Sequence, residues 1–248
     1  MNSTLSLTGK VALVTGGSRG IGAEVARRLA SDGAEVVIAY RSDTASAETV
    51  VTALKATGAK AHAFAVDIAI PQDCETLIES CLKACGRLDI LVNAAGVATY
   101  RPLDQADADH YHALFNTNVL GALSLTRAAV AVMNGPGRII HFSSRLAGSP
   151  MPNTSVYAAS KAAVSALTLA LSQELGPRDI TINAIAPGLI ETDMTALAVA
   201  ERGEALRNAT PLRRIGQPDD ISGIVAFLAS DDAKWITGRT IRADGGLL

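Results

Sequence analysis

The sequence predicts an α/β fold: one doubly wound sheet of about seven parallel strands with helices on both faces. Two observations predict it. Short runs of β-branched and aliphatic residues alternate with longer segments of helical apolar spacing, and glycine or proline stands at most junctions. No composition shift, linker, repeat or low-complexity stretch divides residues 1–248, so a single domain is expected. With 48% hydrophobic residues, the chain can bury a large core without disulfides or a structural metal.

Val11–Thr15 is continuously apolar and reads as a strand buried on both faces. Residues 21–30 follow as a helix, with Ile21, Val25, Ala26 and Leu29 at helical spacing and Gly33 as a stop. Glu35–Tyr40 is the second strand. Ala47, Val50, Val51 and Leu54 mark the next helix, ended by Gly58. Residues 61–66 make the third strand, and Pro71–Cys85 a helix with proline in its first turn. Residues 87–93 make the fourth strand.

One long helix is expected over 108–133, stopped by Asn134-Gly135-Pro136-Gly137. A strand at 138–143, a helix at 157–175 closed by Gly176-Pro177, and a strand at 181–186 complete the alternation. After Pro187-Gly188 the periodicity fades until about Thr210. A short helix over 219–229, capped from Pro218-Asp219, and a last strand at Thr240–Ala243 close the chain.

Lys and Arg number 22 against 24 Asp and Glu, which leaves no electrostatic footprint for nucleic acid or an acidic membrane. No apolar run approaches the roughly 18 residues of a membrane span. The first ten residues lack a basic stretch followed by an apolar one, so no secretory signal is expected and the cytoplasm is the expected compartment. Cys74, Cys81 and Cys85 fall on one side of the third helix and read as small core residues. His62, His110, His112 and His141 show no ligand spacing, and no metal is expected.

Thr15-Gly16-Gly17-Ser18-Arg19-Gly20-Ile21-Gly22 joins the first strand to the first helix. Glycines there let the backbone turn sharply and approach a pyrophosphate held at the helix N-terminus, although many α/β turns carry glycine for packing alone. The second strand ends in Tyr40-Arg41-Ser42, with no acid to hold a ribose 2′-hydroxyl. Arg41 and Arg19 can instead clamp a 2′-phosphate, which favours NADP(H). Asp43 could compete if its loop shifted, and Arg41 could simply be solvated.

Tyr157 and Lys161 stand four apart and share a helix face. A free phenol has a pKa of about 10, and a nearby ammonium favours phenolate. Lys161 is therefore expected to lower the Tyr157 pKa and fit it for proton transfer. Such pairs are common on helices, so this one needs company.

The company is found. The glycine turn, Asn93-Ala94-Ala95-Gly96, Asn118, Ser144, Tyr157-x-x-x-Lys161 and Pro187-Gly188 resemble, in order and spacing, the motifs of the short-chain dehydrogenase/reductase family. The resemblance runs from Gly9-Lys10 to Asp244-Gly245-Gly246 and is nearest the 3-oxoacyl-(acyl-carrier-protein) reductases through Ile190-Glu191-Thr192-Asp193-Met194 and Ile236-Thr237-Gly238. It implies a Rossmann fold and a role for each matching residue. Ser144 would polarise a substrate carbonyl and Tyr157 would be the general acid in reduction. Lys161 would hold the nicotinamide ribose, and Asn118 would anchor a proton-relay water.

Cofactor contacts are implied at Gly16, Ser18, Arg19, Gly20, Ile21, Gly22, Tyr40 and Arg41 for the phosphates and adenosine side. Asp67 and Ile68 would meet the adenine, and Asn93, Ala94 and Gly96 would support the adenosine ribose. Pro187, Gly188, Ile190 and Thr192 would line the nicotinamide amide. The implied activity is NADP(H)-dependent interconversion of a ketone and a secondary alcohol. The alternatives are a carrier-protein reductase of fatty-acid synthesis and, against the intact residue set, a nucleotide-binding protein without turnover.

Some residues depart from the family pattern. Arg145 follows Ser144 and could meet an anionic substrate or point to solvent. The stretch before the fifth strand, Met133-Asn134-Gly135-Pro136, lacks the basic run suited to an acidic carrier, although Arg178 matches a basic position. Acyl carrier protein is thus not the favoured partner. Substrate choice is expected to lie in loops 145–156 and 189–208, the second a candidate lid. The resemblance also implies a homotetramer, built through the helices at 108–133 and 157–175 and the segment 235–248.

Overall fold

A computed structural model describes residues 7–247. Residues 1–6, where most of the leader reading falls, and Leu248, the end of the expected 235–248 contact segment, lie outside the described residues. Seven parallel strands pair in the order β3-β2-β1-β4-β5-β6-β7. They are β1 (Val11–Thr15), β2 (Glu35–Tyr40), β3 (Ala61–Ala65), β4 (Ile90–Asn93), β5 (Gly137–Phe142), β6 (Ile180–Pro187) and β7 (Thr240–Ala243). The helices are α1 (Gly20–Ser31), α2 (Thr44–Ala56), α3 (Pro71–Cys85), α4 (Ala108–Phe115), α5 (Gly121–Val132), α6 (Ser155–Leu175), α7 (Ala196–Ala209) and α8 (Pro218–Ala229).

Each central strand must be apolar throughout because successive side chains enter different layers. Ala12 and Val14 of β1 pack with Val25 and Leu29 of α1 and Val225 and Leu228 of α8. Val11 and Leu13 face the other way, toward Leu77 and Ile78 of α3 and Leu125 and Ala129 of α5. That is the doubly wound Rossmann-type arrangement.

The structure corrects four readings of the sequence. Strand β4 starts at Ile90 rather than at 87; the Asp89 carboxylate before it accepts from the Val11 amide at 2.8 Å and pairs with Arg87 at 2.6 Å. Backbone bonds from the Asp89 amide to the Val11 carbonyl and from the Arg138 amide to the Asp89 carbonyl continue the ladder to Asp89, while Arg87 and Leu88 stay outside it. The long helix at 108–133 is not continuous: Asn116–Leu120 forms a π-helical turn between α4 and α5. The fading stretch that follows Pro187-Gly188 contains a full helix, α7, which the periodicity hid because Gly203 is its only buried residue. Finally, α8 is capped by Gln217 and Asp220 rather than from Pro218-Asp219, with the Asp220 carboxylate accepting from the Gln217 amide at 2.7 Å.

Among the described residues no helix is long and apolar enough to cross a membrane. Lost volume should be costly in β5, one strand from the middle of the sheet, where Ile140 is 1% exposed. Ile140→Ala is expected to lower stability by about 2–5 kcal/mol in urea unfolding.

Candidate active site

The strand order reverses between β1 and β4, and the loops leaving their C-terminal ends part there. A cavity of about 440 Å³ opens at that point. Thr15, the last residue of β1, bridges the parting: its hydroxyl donates to Asn93 Oδ1 at 2.8 Å and accepts from the Ala95 amide at 3.1 Å.

One wall is the glycine turn. Gly16 has φ +67°, and a Cβ there would sit 3.0 Å from the Ala95 backbone. A Cβ on Gly22 would lie 2.2 Å from the Gly16 carbonyl oxygen. Helix α1 begins at this wall with no side-chain cap from Arg19, which leaves its first-turn amides available to an anion. Arg19 and Arg41 line the same end, together with Tyr40, Asp67 and Ile68. Asp43 also lines the cavity, but its carboxylate caps α2 by accepting from the Ser46 amide at 3.0 Å, and that bond holds its pKa below the usual range.

The opposite wall holds the phenol. Tyr157 and Lys161 lie in the first turns of α6 and are 9% and 6% exposed, and Ser144 stands just past β5. Burial pushes the Tyr157 hydroxyl up to about 12, the neighbouring Tyr100 adds to the rise, and a hydrogen bond with Ser144 pulls against it. Burial lowers Lys161 to about 8. The expectation that Lys161 depresses Tyr157 is therefore not met by these side chains alone. The ammonium donates to the Phe142 carbonyl at 2.8 Å and sits 6.0 Å from the phenol ring centre, with the ring's own desolvation dominating.

Asn118 sits inside the π-helical turn with every side-chain polar atom engaged. Its amide nitrogen donates to the Val97 carbonyl and to Ser160 Oγ, and its Oδ1 accepts from the Val97 amide at 2.9 Å. It thereby pins the loop after β4 against α6. All the sequence-derived site residues line the cavity except Asn93 and Asn118, which brace its floor from behind. Pro187 at the end of β6, with Gly188, Ile190 and Thr192 beyond it, closes the cavity.

Sequence reasoning missed Tyr100, whose ring meets Tyr157 edge-on at 5.5 Å. Its position in a loop between β4 and α4 carries no periodic signal. Ser144 also keeps a local role, accepting from the Leu146 amide at 3.2 Å.

The histidines are dispersed. His141 is wedged between Thr126 and Thr168, and burial first, then the Lys161 charge, lowers it to about 4. His110 is buried against Thr99, and His112 is exposed. His62, read from the sequence as part of no ligand set, meets Glu35 at 3.1 Å beside Cys85, all three ligand atoms lying within 4.8 Å. They come together from β2, β3 and α3 at the sheet end away from the cavity. Cys74 and Cys81 are buried, as the helical spacing predicts.

A family model described as enoyl-(acyl carrier protein) reductase matches residues 16–248. An uncharacterized oxidoreductase of Methylorubrum extorquens is 45% identical over 244 residues, 97% of this chain and 98% of that one. The hydroxynaphthalene reductase arp2 of Aspergillus fumigatus is 38% identical, covering 95% of this chain and 91% of its own. A 3-oxoacyl-(acyl-carrier-protein) reductase of Staphylococcus aureus is 39% identical, with 96% and 98% covered. Among solved structures, a short chain dehydrogenase from Burkholderia cenocepacia in complex with NADP superposes with a TM-score of 0.92 at 40% identity, covering 97% of this chain and 98% of that one.

The buried ammonium gives a test of the geometry. Lys161→Met is expected to raise stability at pH 7 by about 1–3 kcal/mol, because it removes a desolvated charge. That advantage should shrink as pH rises from about 8 to 10.5, where the unfolded wild type holds the proton longer than the folded one. Urea titrations of both proteins across this range check it, and a destabilised Met variant at pH 7 would contradict it.

Proposed function

The chain belongs to the short-chain dehydrogenase/reductase family, and we propose that it is an NADP(H)-dependent oxidoreductase interconverting a ketone and a secondary alcohol. The observation that carries this reading is that the Ser144 and Tyr157 hydroxyls line one cavity next to a buried ammonium, near enough for Ser144 to oppose the rise of the Tyr157 pKa. Two neutral donors converging on one oxygen suit a carbonyl that becomes an alkoxide.

NADPH bound along the cleft supplies the hydride. The glycine turn and the uncapped start of α1 fit its pyrophosphate. Arg19 and Arg41 fit its 2′-phosphate, and Asp43 is anchored to the start of α2 through the Ser46 amide, with Arg19 near enough to feel its charge. A phenol held at about 12 keeps its proton at neutral pH, which fits Tyr157 as the acid of the reductive direction. Ser144 holds the oxygen as charge develops. Lys161 stands behind, where its ammonium is directed at the Phe142 carbonyl and available to ribose hydroxyls. Asn118 acts as a positioning residue through Val97 and Ser160.

Likeness to carrier-protein reductases supports the second reading, but two features favour a free small molecule. Arg178, the basic residue matching that group, spends its guanidinium on the Val130 and Met133 carbonyls at the end of α5, at 2.7 and 3.1 Å. No other cation stands in 133–136. Assembly as a cytoplasmic homotetramer belongs to the same proposal, supported by the uncovered Leu169 of α6 and by Trp235, which is 96% exposed.

Tyr157→Phe is expected to lower kcat for ketone reduction by about a hundredfold to ten-thousandfold while NADPH affinity by fluorescence titration stays within a fewfold. Full activity in that variant would sink the mechanism. Arg41→Ala should weaken NADPH binding by about tenfold or more and leave NADH binding unaffected. For assembly, sedimentation equilibrium should give four times the chain mass at micromolar concentration, and a monomer would refute the tetramer.

A further inference from the structure

Four arginines line the cavity: Arg19, Arg41, Arg145 and Arg202. The first two stand at the adenosine end, where the proposed cofactor supplies a phosphate. The other two come from the two candidate substrate loops. Arg145 directly follows Ser144, and Arg202 sits on α7.

Neither of this second pair is neutralised by the protein. The one side-chain contact of Arg145 is with the Met151 sulfur at 3.6 Å, an acceptor too weak to balance a guanidinium. Its charge is felt nearby, where it opposes the burial-driven rise of the Tyr100 hydroxyl. Among the described residues no carboxylate pairs with Arg145 or Arg202.

Helix spacing explains why Arg202 has no partner. Ala198, Arg202 and Leu206 form one stripe of α7, and all three line the cavity. The positions three and four away from Arg202 are Ala198, Val199, Ala205 and Leu206, none of which can pair with it. Glu201 and Glu204, the acids of this helix, are exposed, as Arg202 is, but of the three only Arg202 lines the cavity. An arginine is thus set in an otherwise apolar stripe turned toward the same space as Tyr157. Of the carboxylates lining the cavity, Asp43 and Asp67 belong to the adenosine end, leaving only Asp193, which is on the lid.

We propose that Arg145 and Arg202 form an anion subsite, so that the ketone substrate carries a carboxylate or a phosphate ester clamped between the two loops. Planar guanidinium forks suit either set of anionic oxygens. Closure of α7 would bring Arg202 onto a substrate already held by Arg145 beside the Ser144–Tyr157 pair. The inference rests on the reductase reading above and narrows its substrate class.

The test uses the purified full-length chain with NADPH and two matched pairs of substrates: acetoacetate with its methyl ester, and dihydroxyacetone phosphate with dihydroxyacetone. In the wild type, at least one anion should exceed its neutral partner in kcat/KM by about tenfold or more. The pair that responds identifies carboxylate or phosphate. Arg145→Gln and Arg202→Gln should each reduce that ratio by about tenfold or more, mainly through KM of the anion, and added salt should do the same in the wild type. Glu204→Gln, away from the cavity, should keep the ratio.

Three results overturn the subsite: neutral ketones reduced as well as their anions by the wild type, a ratio that survives both substitutions, or a loss in Arg202→Gln matched by an equal rise in the NADPH Kd. The last would place that guanidinium on the cofactor instead. If NADPH binds but no ketone of either charge is reduced, the reductase reading falls and the subsite falls with it. That outcome is distinct from reduction without charge preference, which overturns the subsite alone.

Discussion

The hydroxyl of Thr15 joins two loops that the topology drives apart. Strand β1 pairs with β2 on one side and β4 on the other, so the chain leaving β1 turns away from the chain leaving β4 and a crevice must open. Donating to Asn93 and accepting from the Ala95 amide, Thr15 sets how wide it opens. The glycine turn then passes so near Ala95 that a Cβ on residue 16 would crowd its backbone at 3.0 Å, at a φ of +67° that residues with side chains rarely adopt. Both the phosphate-binding wall and the loop bearing Val97 take their positions from this contact. Asn118 carries the constraint onward, since it holds Val97 on one side and the α6 residue Ser160 on the other.

What this frame holds is unfavourable by itself. A fully formed core would prefer neither a lysine ammonium at 6% exposure nor a phenol sealed beside it. The protein keeps both, with one hydrogen bond from Lys161 to Phe142 and one contact between Tyr157 and Ser144. The groups that a ketone reductase needs are those whose ionisation burial disturbs most, which is the usual mark of a site selected for chemistry over stability. Arg145 and Arg202, which no carboxylate pairs among the described residues, extend the same pattern from protons to fixed charge.

Features written in local spacing were legible beforehand. The apolar run of β1, the glycines after it and the four-residue step from Tyr157 to Lys161 each have a backbone reason confined to a few residues. Features made by distant segments were not. The π-helical turn around Asn118 answers to Val97 and Ser160, which lie 21 and 42 residues away. Asn93 reads from the sequence as a cofactor contact, whereas the structure gives its side chain to Thr15. Helix α7 escaped notice because it lies over the cavity with almost no buried face, and amphipathic periodicity is the signal by which such helices are found. Tyr100 had no signal at all, and only the fold brings its ring against Tyr157. The Tyr157 pKa follows a related rule: spacing reports the neighbouring ammonium and is silent about desolvation, which dominates for these side chains alone.

The most direct measurement is the oxidation of NADPH and of NADH, side by side, by the purified chain with simple ketones, acetoacetyl thioester and an enoyl thioester. Turnover of ketones with NADPH well ahead of NADH is the predicted result. Turnover confined to the enoyl thioester, or a preference for NADH, would contradict the carbonyl chemistry assigned to Ser144 and Tyr157 or the phosphate contact assigned to Arg41.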